Sequence, residues 1–175
     1  MTLERHVTDT LKEWQVKLGD FQTGTRLYYP KNSLCEYLNQ EEDIDDEMLC
    51  IKAERHLMDR ADYLGDVTVT AEGDRFCFFI GREGCEYIAG NIPVPEFLCG
   101  FLKVLEHQDM AEIRGYFAYY ADKFHTAYIE EKDDDGGTIF YLEDEEIEPY
   151  VYCVDENEFG ITYHRFSRDD YEDLF

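Results

Sequence analysis

Apolar residues recur at helical spacing at the start of the chain. Leu3, Val7, Leu11, Trp14 and Leu18 lie 4, 4, 3 and 4 positions apart. That is one stripe of an amphipathic helix, with Gly19 as its stop. Tyr29 precedes a proline and is pushed toward extended geometry, while Pro30 suits the opening of a short helix through Ser33 to Leu38. Residues 41–47 are acidic apart from Ile44 and run into a helix start, where negative charge favours the helix dipole. Cys50, Ala53, Leu57, Ala61 and Leu64 then repeat at 3, 4, 4 and 3, which predicts a second amphipathic helix ended by Gly65.

The period changes between Asp66 and Asn91, a stretch that reads as three short strands with Gly-bearing turns. Val67 and Val69 alternate with Thr68 and Thr70. Phe76 to Ile80 is apolar at every position, the mark of a central strand covered on both faces. Ile92-Pro93-Val94-Pro95 cannot continue a ladder, and Pro95 is placed to begin a helix with Phe97, Leu98, Phe101, Leu102 and Leu105 inward. Asp109 with Glu112 resembles a capping box and predicts a further helix that buries Met110, Ile113, Phe117, Tyr120, Ala121 and Phe124. Strands follow over Thr126 to Glu131, Thr138 to Leu142, Tyr150 to Val154 and Ile161 to Phe166. Ser167 then caps a short terminal helix.

The fold class is therefore α+β, an antiparallel sheet of about five to six short strands with helices packed on it and a helical N-terminal part. One domain over 1–175 is expected: 1–65 mainly helical, 66–92 strands, 95–125 two helices, 126–166 strands and 168–175 the terminal helix. At 175 residues such a domain buries roughly 70% of its unfolded surface.

Composition changes the picture in one direction. The net charge is -25, and residues 130–175 carry 17 acids against 3 bases, whereas residues 1–40 are balanced at 5 and 5. Aromatic content of 15% keeps the chain in the folding class despite that charge. Such a charge repels nucleic acid and anionic membranes, so any macromolecular partner is expected to be basic protein. No stretch approaches 18 apolar residues, and the N-terminus lacks the apolar centre of a signal peptide, so a cytoplasmic location is expected. The oligomeric state is open. Six Cys without a C-x-x-C pair are expected to be reduced, with Cys77 and Cys99 buried.

Candidate chemistry is sparse. The five His show no metal spacing, the acidic loops lack the EF-hand order, and no phosphate loop or nucleophile elbow is present. No catalytic residue, metal ligand or cofactor is assigned. Two stretches depart from the acidic background by joining Arg to aromatics: Arg26-Leu27-Tyr28-Tyr29-Pro30 and Tyr163-His164-Arg165-Phe166. Arg26, Tyr28, Tyr29, Tyr163, His164 and Arg165 are the candidate ligand-binding residues, forming a pocket between the first loop and the last strand whose Arg grips an anion. Arg–Tyr stacking inside the sheet is the favoured structural reading of the same residues. Strand alternation would put Tyr163 and Arg165 on one face, and His164 and Phe166 on the other.

With Lys17-Leu18-Gly19, the RLYYP stretch, Pro149-Tyr150-Val151-Tyr152-Cys153, the YHRF stretch and Asp170-Tyr171 in view, the chain resembles a small bacterial family of domains of unknown function. The resemblance spans nearly the whole chain. It implies a bacterial single-domain protein and carries over no catalytic residue, cofactor or partner. Two functions fit these features. The first is an acidic, non-catalytic interaction module that binds a basic partner, with immunity-like or nucleic-acid-mimic versions. The alternative is a ligand-binding domain or enzyme using the Arg/Tyr/His pocket.

Overall fold

A computed structural model describes residues 1–19, 23–133, 136–168 and 171. The architecture is α+β with antiparallel strands throughout. Six helices and seven strands are described, and the strands divide between two sheets rather than lying in one. The chain separates into two compact units, Met1–Val94 and Pro95–Phe175.

In the first unit, α1 (Leu3–Leu18) follows the predicted stripe: Leu3, Val7 and Leu11 are fully buried and Trp14 packs against the same core. Leu18 does not follow, standing 77% exposed where the helix runs into Gly19 at φ 82°. β1 (Thr25–Pro30) leads through Pro30 into α2 (Lys31–Tyr37), as the proline predicts. α3 (Asp46–Arg60) is capped by Asp45, whose carboxylate accepts from the Met48 amide at 3.2 Å. The helix ends before Ala61, and a single 3-10 turn, Asp62–Leu64, delivers the buried Leu64.

β2 (Val67–Glu72) and β3 (Arg75–Ile80) form the expected hairpin. The sheet order is β1-β3-β2, so Phe76 to Ile80 is central. One of its faces, with Phe76, Phe78 and Ile80, is buried in the core. The other holds buried Cys77 but leaves Phe79 39% exposed, so the cover on that side is incomplete.

The third strand expected within 66–92 is a helix, α4 (Arg82–Asn91). Two glycines flanking Tyr87 and Ile88 imitate turn–strand–turn. The buried positions Gly84, Cys85 and Ile88 have helical phase instead. Gly84 explains the placement: a Cβ there would collide with the Leu64 carbonyl, so only glycine lets α4 lie this close to the 3-10 turn.

In the second unit, α5 (Glu96–Leu105) buries Phe97, Leu98 and Phe101. α6 (Met110–Phe124) starts with Asp109 accepting from the Ala111 amide at 2.7 Å. Ile113, Phe117, Tyr120 and Ala121 are buried as predicted, whereas Phe124 at the last turn is 43% exposed. β4 (Tyr128–Lys132), β5 (Thr138–Leu142), β6 (Tyr150–Asn157) and β7 (Gly160–Ser167) follow in the sheet order β4-β5-β6-β7. α6 lies against β4 and β5. The rings of Phe97, Phe101, Phe117, Phe140 and Tyr152 build an aromatic core, with Phe117 and Phe140 stacked at 5.1 Å. Most of the terminal helix expected over 168–175 lies outside the described residues.

All six cysteines are free. Cys77 is buried as expected. Cys99 is only half-buried, because it sits beside rather than within the apolar face of α5.

Candidate functional site

Strand alternation decides where the six candidate residues go. On β1, Arg26 and Tyr28 share the outward face, while Leu27 and Tyr29 turn into the core. Arg26 stands opposite Phe79 on β3, with its guanidinium carbon 5.5 Å from that ring's centroid. Tyr28 stands opposite Cys77 and is 47% exposed. A hydrogen bond with Cys77 raises its phenol above the ordinary value, with burial adding to the effect. Tyr29 is 5% exposed, and its hydroxyl meets His6 Nδ1 at 2.9 Å. Its ring stands edge-on to Phe78 at 4.9 Å.

On β7 the alternation is the one the sequence predicts. Tyr163 and Arg165 pair across to Val154 and Tyr152, on the face that carries the aromatic core. Tyr163 lies edge-on to Phe101 at 5.1 Å. The Arg165 guanidinium sits 3.9 Å above the Tyr150 ring. His164 is exposed on the opposite face, near Phe166. Within each unit, then, the structure joins Arg26 with Tyr28 and Tyr163 with Arg165, and it sets Tyr29 and His164 on the opposite faces. Both guanidiniums lie on aromatic rings, in the stacked arrangement that favours a structural role.

The family described as "Domain of unknown function, E. rectale Gene description (DUF3877)" matches residues 1–175. The chain belongs to the DUF3877 family. Its description names a bacterial source and no activity. Neither the curated proteins nor the solved structures contain a significant match to the DUF3877 chain.

The DUF3877 chain also carries a polar seam that the hydrophobic pattern does not reveal. α1 buries polar residues beside its apolar stripe: Thr8, Lys12, Glu13 and Gln15 are all under 8% exposed. Lys12 Nζ donates to the Ile88 and Ala89 carbonyls, at 3.3 and 3.2 Å, in the last turn of α4. A cation there meets the negative end of the helix dipole. Gln15 Nε2 donates to the Cys85 carbonyl at 2.8 Å. Thr8 bonds the Tyr63 hydroxyl at 2.8 Å, and Glu4 bonds His56 Nε2 at 2.8 Å. Burial alone would raise the Glu4 carboxyl. The His56 bond and local backbone and side-chain donors outweigh it, and the net shift is downward. These contacts tie α1 to its neighbours and are architectural. The clue in the sequence is only that polar residues flank the apolar stripe so closely.

Thiol and phenol chemistry is suppressed where it is buried. Cys153 is pushed up to about 11, first by burial and then by the charges of Asp133 and Asp155. Tyr116, whose hydroxyl donates to the Phe97 carbonyl at 2.8 Å, is raised by burial above all. Among the described residues no three His, Cys, Asp or Glu side chains gather as ligands for a metal ion. No single described helix is long and apolar enough to cross a membrane.

Proposed function

We propose that this DUF3877 chain is an acidic interaction module that binds a basic protein partner in the cytoplasm without catalysing a reaction. One observation carries the reading. Residues 95–175 hold 22 acids against 6 bases, and three of those bases are already spent on acids. Arg114 pairs with Glu130 at 2.9 Å, Lys123 with Glu96 at 2.9 Å, and Arg168 with Glu145 at 3.4 Å. Glu131, Glu143, Asp144, Glu146, Glu156 and Glu158 remain exposed. Uncompensated surface charge of one sign steers an oppositely charged partner and rejects like-charged ones. Immunity-like and nucleic-acid-mimic roles are both versions of this chemistry. The stacking of Arg26 and Arg165 on rings supports structural roles for those two residues rather than anion capture.

Fluorescence anisotropy with a labelled nona-arginine peptide tests the reading, with polyglutamate and duplex DNA as controls. Binding is expected for the arginine peptide alone, weakening steeply as salt shortens the Debye length from ~30 Å at 0.01 M to ~8 Å at 0.15 M. Absence of arginine-peptide binding at low salt, or equal binding of DNA, would sink it.

A further inference from the structure

α3 is apolar on two sides, and only one is used by the fold. Leu49, Ala53 and Leu57 face the core. Met48, Ile51 and Met58 lie on the opposite side and are 47%, 41% and 67% exposed, with Arg55 between them. Steps of three and then seven residues keep the three apolar side chains on one side of the helix, spanning about 15 Å at the usual rise. Scattered exposed hydrophobics are ordinary, but three on a single helix face, interrupted only by Arg55, make a strip. Two are methionines, whose unbranched side chains reshape to an incoming surface.

The charge around the strip is polarised. At its N-terminal end Glu41, Glu42, Asp43, Asp45 and Glu47 are exposed. Asp46 is already paired with Lys31 at 2.8 Å. Toward the C-terminal end Lys52, Arg55 and Arg60 are exposed around Asp59. We infer that this face of α3 is a docking surface for a basic amphipathic helix of a protein partner. Apolar residues at i, i+3 or i+4, i+7 and i+10 or i+11 would cover Met48, Ile51 and Met58, and the basic end would lie over Glu42 to Glu47. A second copy brings another chain of net charge -25, and an anionic membrane is repelled, so charge selects the basic helix. The inference rests on the acidic-module reading and adds a docking surface in the first unit to the acids of residues 95–175.

The test uses the full chain and two labelled Leu/Lys peptides of roughly 14 residues, about four helical turns. One has Leu at helical spacing, and the other is a scramble of the same composition. The periodic peptide is expected to bind more tightly. Ile51→Ser/Met58→Ser is expected to weaken it about tenfold, the equivalent of losing part of two side-chain burials, and to leave the scramble unchanged. In the unaltered protein, the Met48 and Met58 methyl resonances should shift with the periodic peptide and not with the scramble. If the variant binds both peptides as the parent does and the methyls stay silent, the α3 surface is overturned and the acidic module survives. If neither peptide binds at low salt, both readings fall. If sedimentation shows that the parent self-associates and the variant does not, a second copy occupies the strip and the inference is overturned.

Discussion

Cys153 shows how burial sets chemistry at the scale of one residue. The residue is 8% exposed, and its thiol is raised from the ordinary 9.0 to about 11. In the unfolded chain the thiol ionises near its ordinary value, whereas in the folded chain it holds its proton longer. Stability from this group is therefore complete below pH 9 and is lost as the pH rises from 9 to about 11. The difference between the two states is worth roughly 2–3 kcal/mol. Burial moves Cys35, Cys50 and Cys85 the same way. Urea unfolding at pH 8 and pH 10 should show the loss, and Cys153→Val should lessen the difference; equal pH slopes for the two proteins would contradict the assignment. The sequence points to Cys77 and Cys99 as the buried thiols and not to Cys153, whose burial the structure supplies. The sequence does announce the alternation on β7, because period two needs only the strand to be recognised. It does not announce that Tyr29 meets His6 or that Lys12 reaches α4. Those contacts join residues 23 and 76 or 77 positions apart, and no local pattern encodes such a meeting.

Among the elements, helices with a single apolar stripe are legible in the sequence, as are strands without glycine. α1, α6, β5 and β6 are of this kind, and each lies close to its expected span. α4 is not, because its glycines suit a turn by propensity and a close approach by packing, and only the packing explains Gly84. Gly84→Ala is expected to destabilise by about 1–2 kcal/mol, the overpacking against the Leu64 carbonyl exceeding the gain in helix propensity. Gly90 in the same helix has open space around it, and Gly90→Ala should stabilise by about 0.5–1 kcal/mol. Opposite shifts in denaturation midpoint would bear this out. A matching sign would mean that the Leu64 backbone gives way. α3 is half legible: the stripe that reaches the core stands out by its period, while Met48, Ile51 and Met58 lie in the opposite phase and look like ordinary surface.

For the whole molecule, charge dominates. A net of -25 opposes compaction through self-repulsion, since few bases are left to neutralise it. The melting temperature is expected to rise as NaCl goes from ~0.01 M to ~1 M, over which the Debye length falls from ~30 Å to ~3 Å. A flat or falling titration would show that the acids are already paired or too far apart to interact. It would also weaken the case for an electrostatic lure. Amino-acid counts fix the sign of this effect without any structure. The division into Met1–Val94 and Pro95–Phe175, with a sheet in each, is not legible. Strand patterns specify local faces but not which strands join one ladder.

The outermost place of β4 in its sheet has a consequence of another kind. β5 pairs with it on one side, and among the described residues no strand of its own sheet lies on the other. A border strand with free amides and carbonyls can template the strand of another molecule and so seed aggregation. β4 runs Tyr-Ile-Glu-Glu-Lys, and Glu130, Glu131 and Lys132 are exposed. A second β4 drawn up alongside would set carboxylates against carboxylates before any ladder could form. The acidity of this strand thus acts as a gatekeeper along the border.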